Sequence, residues 1–190
     1  MSARFVLLSL LLFAGCDGAS SPVDAGGDDD AGSAGDAASV DAGTGLPETC
    51  TDDCAALDLT ATFDGNTAPF TRAQLGLERE GDRVVALRVE AHDGGDPACP
   101  TMSSPTPDRT LIITFPVPEG GAPMAPTSVS LLDFAGTLTT EPVARATEAT
   151  LTPRALRLEG EPHVAFDLDA TFEGGAIRGP VYATHCPSLD

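Results

Sequence analysis

Val164-Ala165-Phe166-Asp167-Leu168-Asp169-Ala170-Thr171-Phe172 alternates with a period of two. Val164, Phe166, Leu168, Ala170 and Phe172 share one face, while Asp167, Asp169 and Thr171 share the other. A strand puts successive side chains on opposite faces, so this stretch predicts a β-strand buried on one side and solvated on the other. A near copy lies upstream: Leu57-Asp58-Leu59-Thr60-Ala61-Thr62-Phe63-Asp64-Gly65 matches the segment from Phe166 to Gly174 at six of nine positions. Two copies do not make a repeat architecture. The shared pattern instead places the first and penultimate strands in comparable environments, with the terminal strand sealing the sheet against the first.

The same alternation recurs between these two segments. Ala73, Leu75 and Leu77 lead through Gly81-Asp82, a Gly-first pair suited to a type II′ hairpin, into Val85, Leu87 and Val89. Leu111 to Val117 is a nearly continuous apolar run, and Val129 to Leu138 and Val143 to Leu151 read as further strands. The last of these is expected to continue past Pro153 to Leu158 with a bend. Glu173-Gly174-Gly175 turns the chain into a final run through Ile177, Val181 and Ala183. No segment carries a 3.6-residue apolar stripe, so residues 49–190 predict an all-β domain: an antiparallel barrel or sandwich of about eight strands.

Charge narrows the partners. The chain has 190 residues, with 29 acids against 10 basic residues and a formal charge of −19. Every basic residue is Arg, which removes lysine Schiff bases and phosphate-loop lysines from consideration. A polyanion needs a basic patch that releases counterions, so no nucleic-acid partner is expected, and anionic headgroups are disfavoured for the same reason. With no Trp and one Tyr, stacking platforms for sugars or bases are also scarce.

Residues 1–15 hold Arg4 and then the apolar run from Phe5 to Phe13, too short to span a bilayer as a helix. The run ends Phe13-Ala14-Gly15-Cys16, which resembles the lipobox of bacterial lipoproteins. That resemblance implies cleavage of the signal before Cys16, a diacylglyceryl group on the Cys16 sulfur, and attachment to a membrane of the bacterial cell envelope, facing the periplasm or the surface. Phe13 departs from the Leu most often found at its position in that motif. Asp17 follows, a residue that in enteric lipoproteins resembles an inner-membrane retention signal; both membranes stay open. Each buried CH₂ contributes about 0.8 kcal/mol, so two or three acyl chains anchor permanently where one does not. Residues 16–48 hold Cys16, lipidated by that resemblance, and a segment containing almost nothing but Asp, Ala, Gly, Ser, Val, Thr and Pro, which lacks aromatic residues and apolar periodicity. It is expected to be a disordered tether reaching about 30 Å. Neither a fixed period nor an EF-hand glutamate supports calcium binding there.

Setting Cys16 aside leaves Cys50, Cys54, Cys99 and Cys186, an even number in an exported chain and hence two disulfides with three possible pairings. Adjacent first and last strands would bring Cys50 or Cys54 beside Cys186, but a simple meander then leaves Cys99 at the far end. The tension is relieved if the loop from Asp93 to Asp108 folds back along the sheet, or if Cys99 pairs with Cys186 and Cys50 with Cys54. Zinc could use the same cysteines with His92, His163 and His185, but export and the lack of matched Cys pairs argue against it. No metal or other cofactor is expected.

His92-Asp93-Gly94-Gly95-Asp96-Pro97 opens the longest loop. A His beside two carboxylates suits acid-base chemistry, although Asp and Gly also populate turns for backbone reasons. Asp167 and Asp169, with Asp58 on the related strand, form a second set of outward carboxylates. Gly-x-Ser-x-Gly, His-Glu-x-x-His and phosphate-loop motifs are absent from the sequence. The expected function is therefore a non-enzymatic binding module for a small apolar ligand or an envelope protein partner. The alternative is a secreted-type hydrolase using carboxylates around His92, Asp93 and Asp96.

Overall fold

The computed structural model describes residues 44–190. The signal segment, Cys16 and the tether as far as residue 43 lie outside the described residues. Nine strands make up the domain: β1 (Thr60–Phe63), β2 (Asn66–Pro69), β3 (Arg72–Glu80), β4 (Arg83–Asp93), β5 (Arg109–Pro116), β6 (Ser128–Asp133), β7 (Val143–Arg157), β8 (His163–Phe172) and β9 (Gly175–His185). Single 3-10 turns at Asp52–Ala55 and Pro187–Leu189 flank them. The fold is an all-β barrel.

Seven strands close the barrel. Antiparallel pairing runs from β3 through β8, and β8 pairs along the whole of β9. Closure comes from a short parallel contact, Gln74 with Thr184 and Leu75 with His185, extended by the Cys186 amide donating to the Leu75 carbonyl at 2.8 Å. The stagger is large. A path across the ladders from His185 through Leu75, Val89, Ile113 and Val129, carried on to Ala146 by extending the Ser130–Arg145 register one residue, returns through Phe172 to Gly175, ten residues back along β9. Such a shear on seven strands means strongly tilted strands and a narrow interior that side chains can fill. Phe115 and Phe166 meet edge to face inside at 5.7 Å, surrounded by fully buried Leu75, Leu87, Val89, Leu111, Ile113 and Leu131.

The remaining hairpin, β1 and β2, explains the internal similarity. β1 pairs with Gly175–Arg178 of β9 from one side, and the end of β8 pairs with the same four residues from the other. The two matching segments thus flank one stretch of β9, and their terminal rings, Phe63 and Phe172, meet across Gly175 at 5.6 Å. A Cβ on Gly175 would fall 2.4 Å from the Phe63 ring, so this crossing admits only glycine. The expected seal between the last strand and the first is present, extended by the Asp58 amide donating to the Pro180 carbonyl.

Four expectations need correction. β2 was not expected as a strand: Ala68 is its one buried residue, and Pro69 ends it. β6 stops at Asp133 rather than Leu138; Leu138 is buried from a loop, its amide donating to Asp133 Oδ2 at 2.6 Å. His92 and Asp93 do not open a loop but end β4, paired with Thr110 and Arg109 of β5. Residues 44–48, assigned to the tether, already touch the barrel: Leu46 packs on the core, and the Pro47 carbonyl accepts from the Leu156 amide at 2.9 Å. The long strand β7 does continue to Arg157, with a register shift at Pro153, where a missing N–H is tolerated at an irregularity.

Candidate functional site

Each sequence-predicted residue within 44–190 can be placed. Cys50 bonds to Cys54, and Cys99 to Cys186. Two disulfides were expected; the Cys50 or Cys54 to Cys186 alternative is incorrect. β9 leaves β1 at Pro180, and its C-terminal half runs beside β3, while the chain before Asp58 turns away into its own 3-10 turn. Cys99 reaches Cys186 because residues 94–108 fold back as a strap over the outer face of β3 and β4. Gln74 Nε2 donates to the Ala98 carbonyl at 2.8 Å, and Arg72 donates to the Gly94 carbonyl.

Polar side chains lie beneath this strap. His92, Glu90 and Gln74 point outward from their strands yet are 4, 7 and 8 % exposed. His92 Nδ1 meets Thr110 Oγ1 at 3.0 Å, and Nε2 lies 3.7 Å from Glu90 Oε2 without a hydrogen-bond partner. Burial lowers the His92 pKa to about 4, and the neighbouring Arg72 guanidinium pushes it the same way. Glu90 would favour a charged ring, but its carboxylate is already paired with Arg88, and desolvation prevails.

Asp93 faces the other way, into the end of the barrel. There it pairs with Arg109, whose Nη2 donates to Thr137 Oγ1 at 2.9 Å and whose Nε lies 3.7 Å from Asp133 Oδ1. Asp96 sits in the strap, accepting from the Ala98 amide at 3.0 Å and the Ser104 hydroxyl at 3.3 Å. β4 therefore separates Asp93 from His92, while Asp96 lies in the strap on the same outer side as His92 and is hydrogen-bonded within the strap. Asp167 and Asp169 are likewise engaged, with Arg154 Nε at 2.7 Å and Arg178 Nε at 2.8 Å. Among the described residues, no group of three His, Cys, Asp or Glu is arranged to hold a metal ion.

Arg109, Asp133, Glu90 and Gln74 were not singled out from the sequence. The signal existed for Asp93, Arg109 and Asp133, each of which occupies the inward register set by Leu87-Val89-Ala91, Leu111-Ile113 and Val129-Leu131. A charge at a core position demands a partner, and these three supply one another.

Two concavities lie at opposite ends of β8. A groove of about 590 Å³ at its C-terminal end is bounded by the β1–β2 and β8–β9 turns and by residues 136–145, with Phe63, Leu138 and Val143 as apolar lining. Half-exposed Val143 and Phe134 stand at either end of the β6–β7 connection. At the N-terminal end of β8, a hollow of about 390 Å³ is lined by Glu161, His163, Tyr182 and His185 among others. His163 Nδ1 lies 3.2 Å from the Glu161 carbonyl, His163 Nε2 has no partner, and the His163 ring rests 5.6 Å from Tyr182. Compared with family models, curated proteins and solved structures, the chain matches none.

Proposed function

We propose that this chain is a lipid-anchored protein of the bacterial envelope, held to a membrane through Cys16 and an acidic tether, whose barrel is a non-enzymatic binding module. The filled interior carries the choice between ligand classes. A small apolar ligand of the enclosed kind needs an internal cavity, whereas here Phe115, Phe166 and their neighbours occupy the space. Recognition then falls to the outer surface, and the groove beside Val143 offers apolar anchorage within a polar rim, the arrangement that protein contacts use. A protein partner is therefore the preferred ligand. The hydrolase reading retains no assembled carboxylates, since Asp93, Asp96, Asp167 and Asp169 each have a structural partner.

A photo-crosslinking residue placed at Val143 of the lipidated chain tests the groove in cells. The expected result is a discrete adduct that Thr140→Arg, an exposed change on the groove wall, removes, with no such adduct from a probe at Asp82. An identical adduct from Asp82, or none from Val143, would overturn the reading.

A further inference from the structure

We infer that Met102, at the tip of the strap over β3 and β4, is a reversible oxidation site, where a hydroperoxide transfers one oxygen atom to the thioether and leaves the fold unchanged. Met102 is fully exposed, whereas Phe134 and Val143 are only half so. The turn that presents it is braced without it. The Ser104 amide donates to the Thr101 carbonyl at 3.0 Å, the Thr101 amide to Ser104 Oγ at 2.9 Å, and the Ser103 amide to Thr101 Oγ1 at 3.3 Å. Ser104 Oγ in turn donates to Asp96, and Cys99 is fixed to Cys186. Met102 therefore offers a polarisable sulfur to solvent from a held loop and takes no part in the core.

The other sulfurs of the described residues are protected. Cys50, Cys54, Cys99 and Cys186 are all in disulfides, so no thiolate among them reacts first. Met124 is 3 % exposed within the core. An oxygen on Met124 would bury a polar group, whereas on Met102 it projects into water. In the reaction a lone pair of the Met102 sulfur attacks the outer oxygen of the hydroperoxide. The S–O bond forms as the O–O bond breaks, and the other oxygen leaves with the proton as water or an alcohol. Sulfur loses two electrons and the peroxide gains them. In the return step a methionine sulfoxide reductase removes the oxygen as water at the expense of a dithiol, which becomes a disulfide. Oxidation thus turns an apolar tip polar while strap and barrel stay in place. This inference is independent of the groove beside Val143 and of the anchor at Cys16.

Brief treatment of the full chain with hydrogen peroxide in peroxide-free detergent, followed by digestion and mass spectrometry of the peptides holding Met102 and Met124, tests it. Met102 is expected to gain one oxygen at least about tenfold faster than Met124, and unfolding in urea should bring the two rates together. The oxidised chain should melt within about 2 °C of the untreated one. Met102→Leu, an apolar change at the exposed tip, should leave the folded barrel without added oxygen over the same period. A mixture of the two reductases, one for each sulfoxide epimer, supplied with thioredoxin, should return the Met102 peptide of the folded chain to its unoxidised mass. Comparable rates in the folded chain, oxygen uptake by the barrel of Met102→Leu, a larger fall in melting temperature, or a Met102 sulfoxide that the reductases leave in place would overturn the proposal.

Discussion

His92, a candidate for acid-base chemistry in the sequence, lies buried beneath the strap. Its ring is buried with Nε2 unpaired, and the pKa falls to about 4. The unfolded chain titrates near 6.5, so between these values the unfolded state binds more protons and stability rises with pH. The contribution of neutral His92 is complete above pH 6.5 and is lost as pH falls towards 4, in total about 2 to 3 kcal/mol. Urea unfolding at pH 7.0 and 4.5 checks this: His92→Gln should flatten that part of the slope, and an unchanged slope would contradict it. At the barrel end, Asp133→Ala strips Arg109 of one partner and the Leu138 and Thr139 amides of their acceptor, so a loss of about 3 kcal/mol is expected. The same variant should blunt crosslinking from Val143, because those amides shape the groove. Charges at core positions were legible as anomalies of period, but their partners were not, because Asp93, Arg109 and Asp133 come together only through the ladders.

Strands with one wet face were the most legible elements. β8 and β1 announce themselves because every second residue is apolar, and the resemblance between them reflects their shared neighbour, Gly175–Arg178 of β9. Gly175→Ala places a Cβ against the Phe63 ring and the Thr62 carbonyl. It should cost about 2 to 4 kcal/mol in thermal unfolding, and a change below about 0.5 kcal/mol would refute the crossing. β2 was illegible because four residues with a single buried Ala carry no period. The end of β4 was misread because His92 and Asp93 are polar, although the strap and the barrel end bury them. The strap itself rests on Cys99–Cys186, which closes a loop of 87 residues, against a separation of 4 for Cys50–Cys54. In the chain-entropy account, removing the long-range bond costs about 4 to 5 kcal/mol and the local one about 2. Paired Cys→Ala variants compared by denaturant titration should preserve that order; a reversal would show that the strap contributes little.

Closure of the whole barrel left little trace in the sequence. It depends on two residues of β3 lying parallel to β9, a meeting of distant segments that no local pattern encodes. The filled interior was undecided for the same reason, since the alternation of a strand is identical in a hollow and a packed barrel. Charge, by contrast, was legible throughout: residues 48–190 carry 22 acids against nine Arg, placed mainly on turns and outward positions, often beside the Arg that balance them. The proposed function joins this acidic, packed module to a membrane through one atom, the Cys16 sulfur. Metabolic labelling with radioactive palmitate tests that link most directly. Label is expected on the full chain and absent from Cys16→Ser, with both barrel disulfides intact in each; label persisting in Cys16→Ser would contradict lipid attachment at that residue.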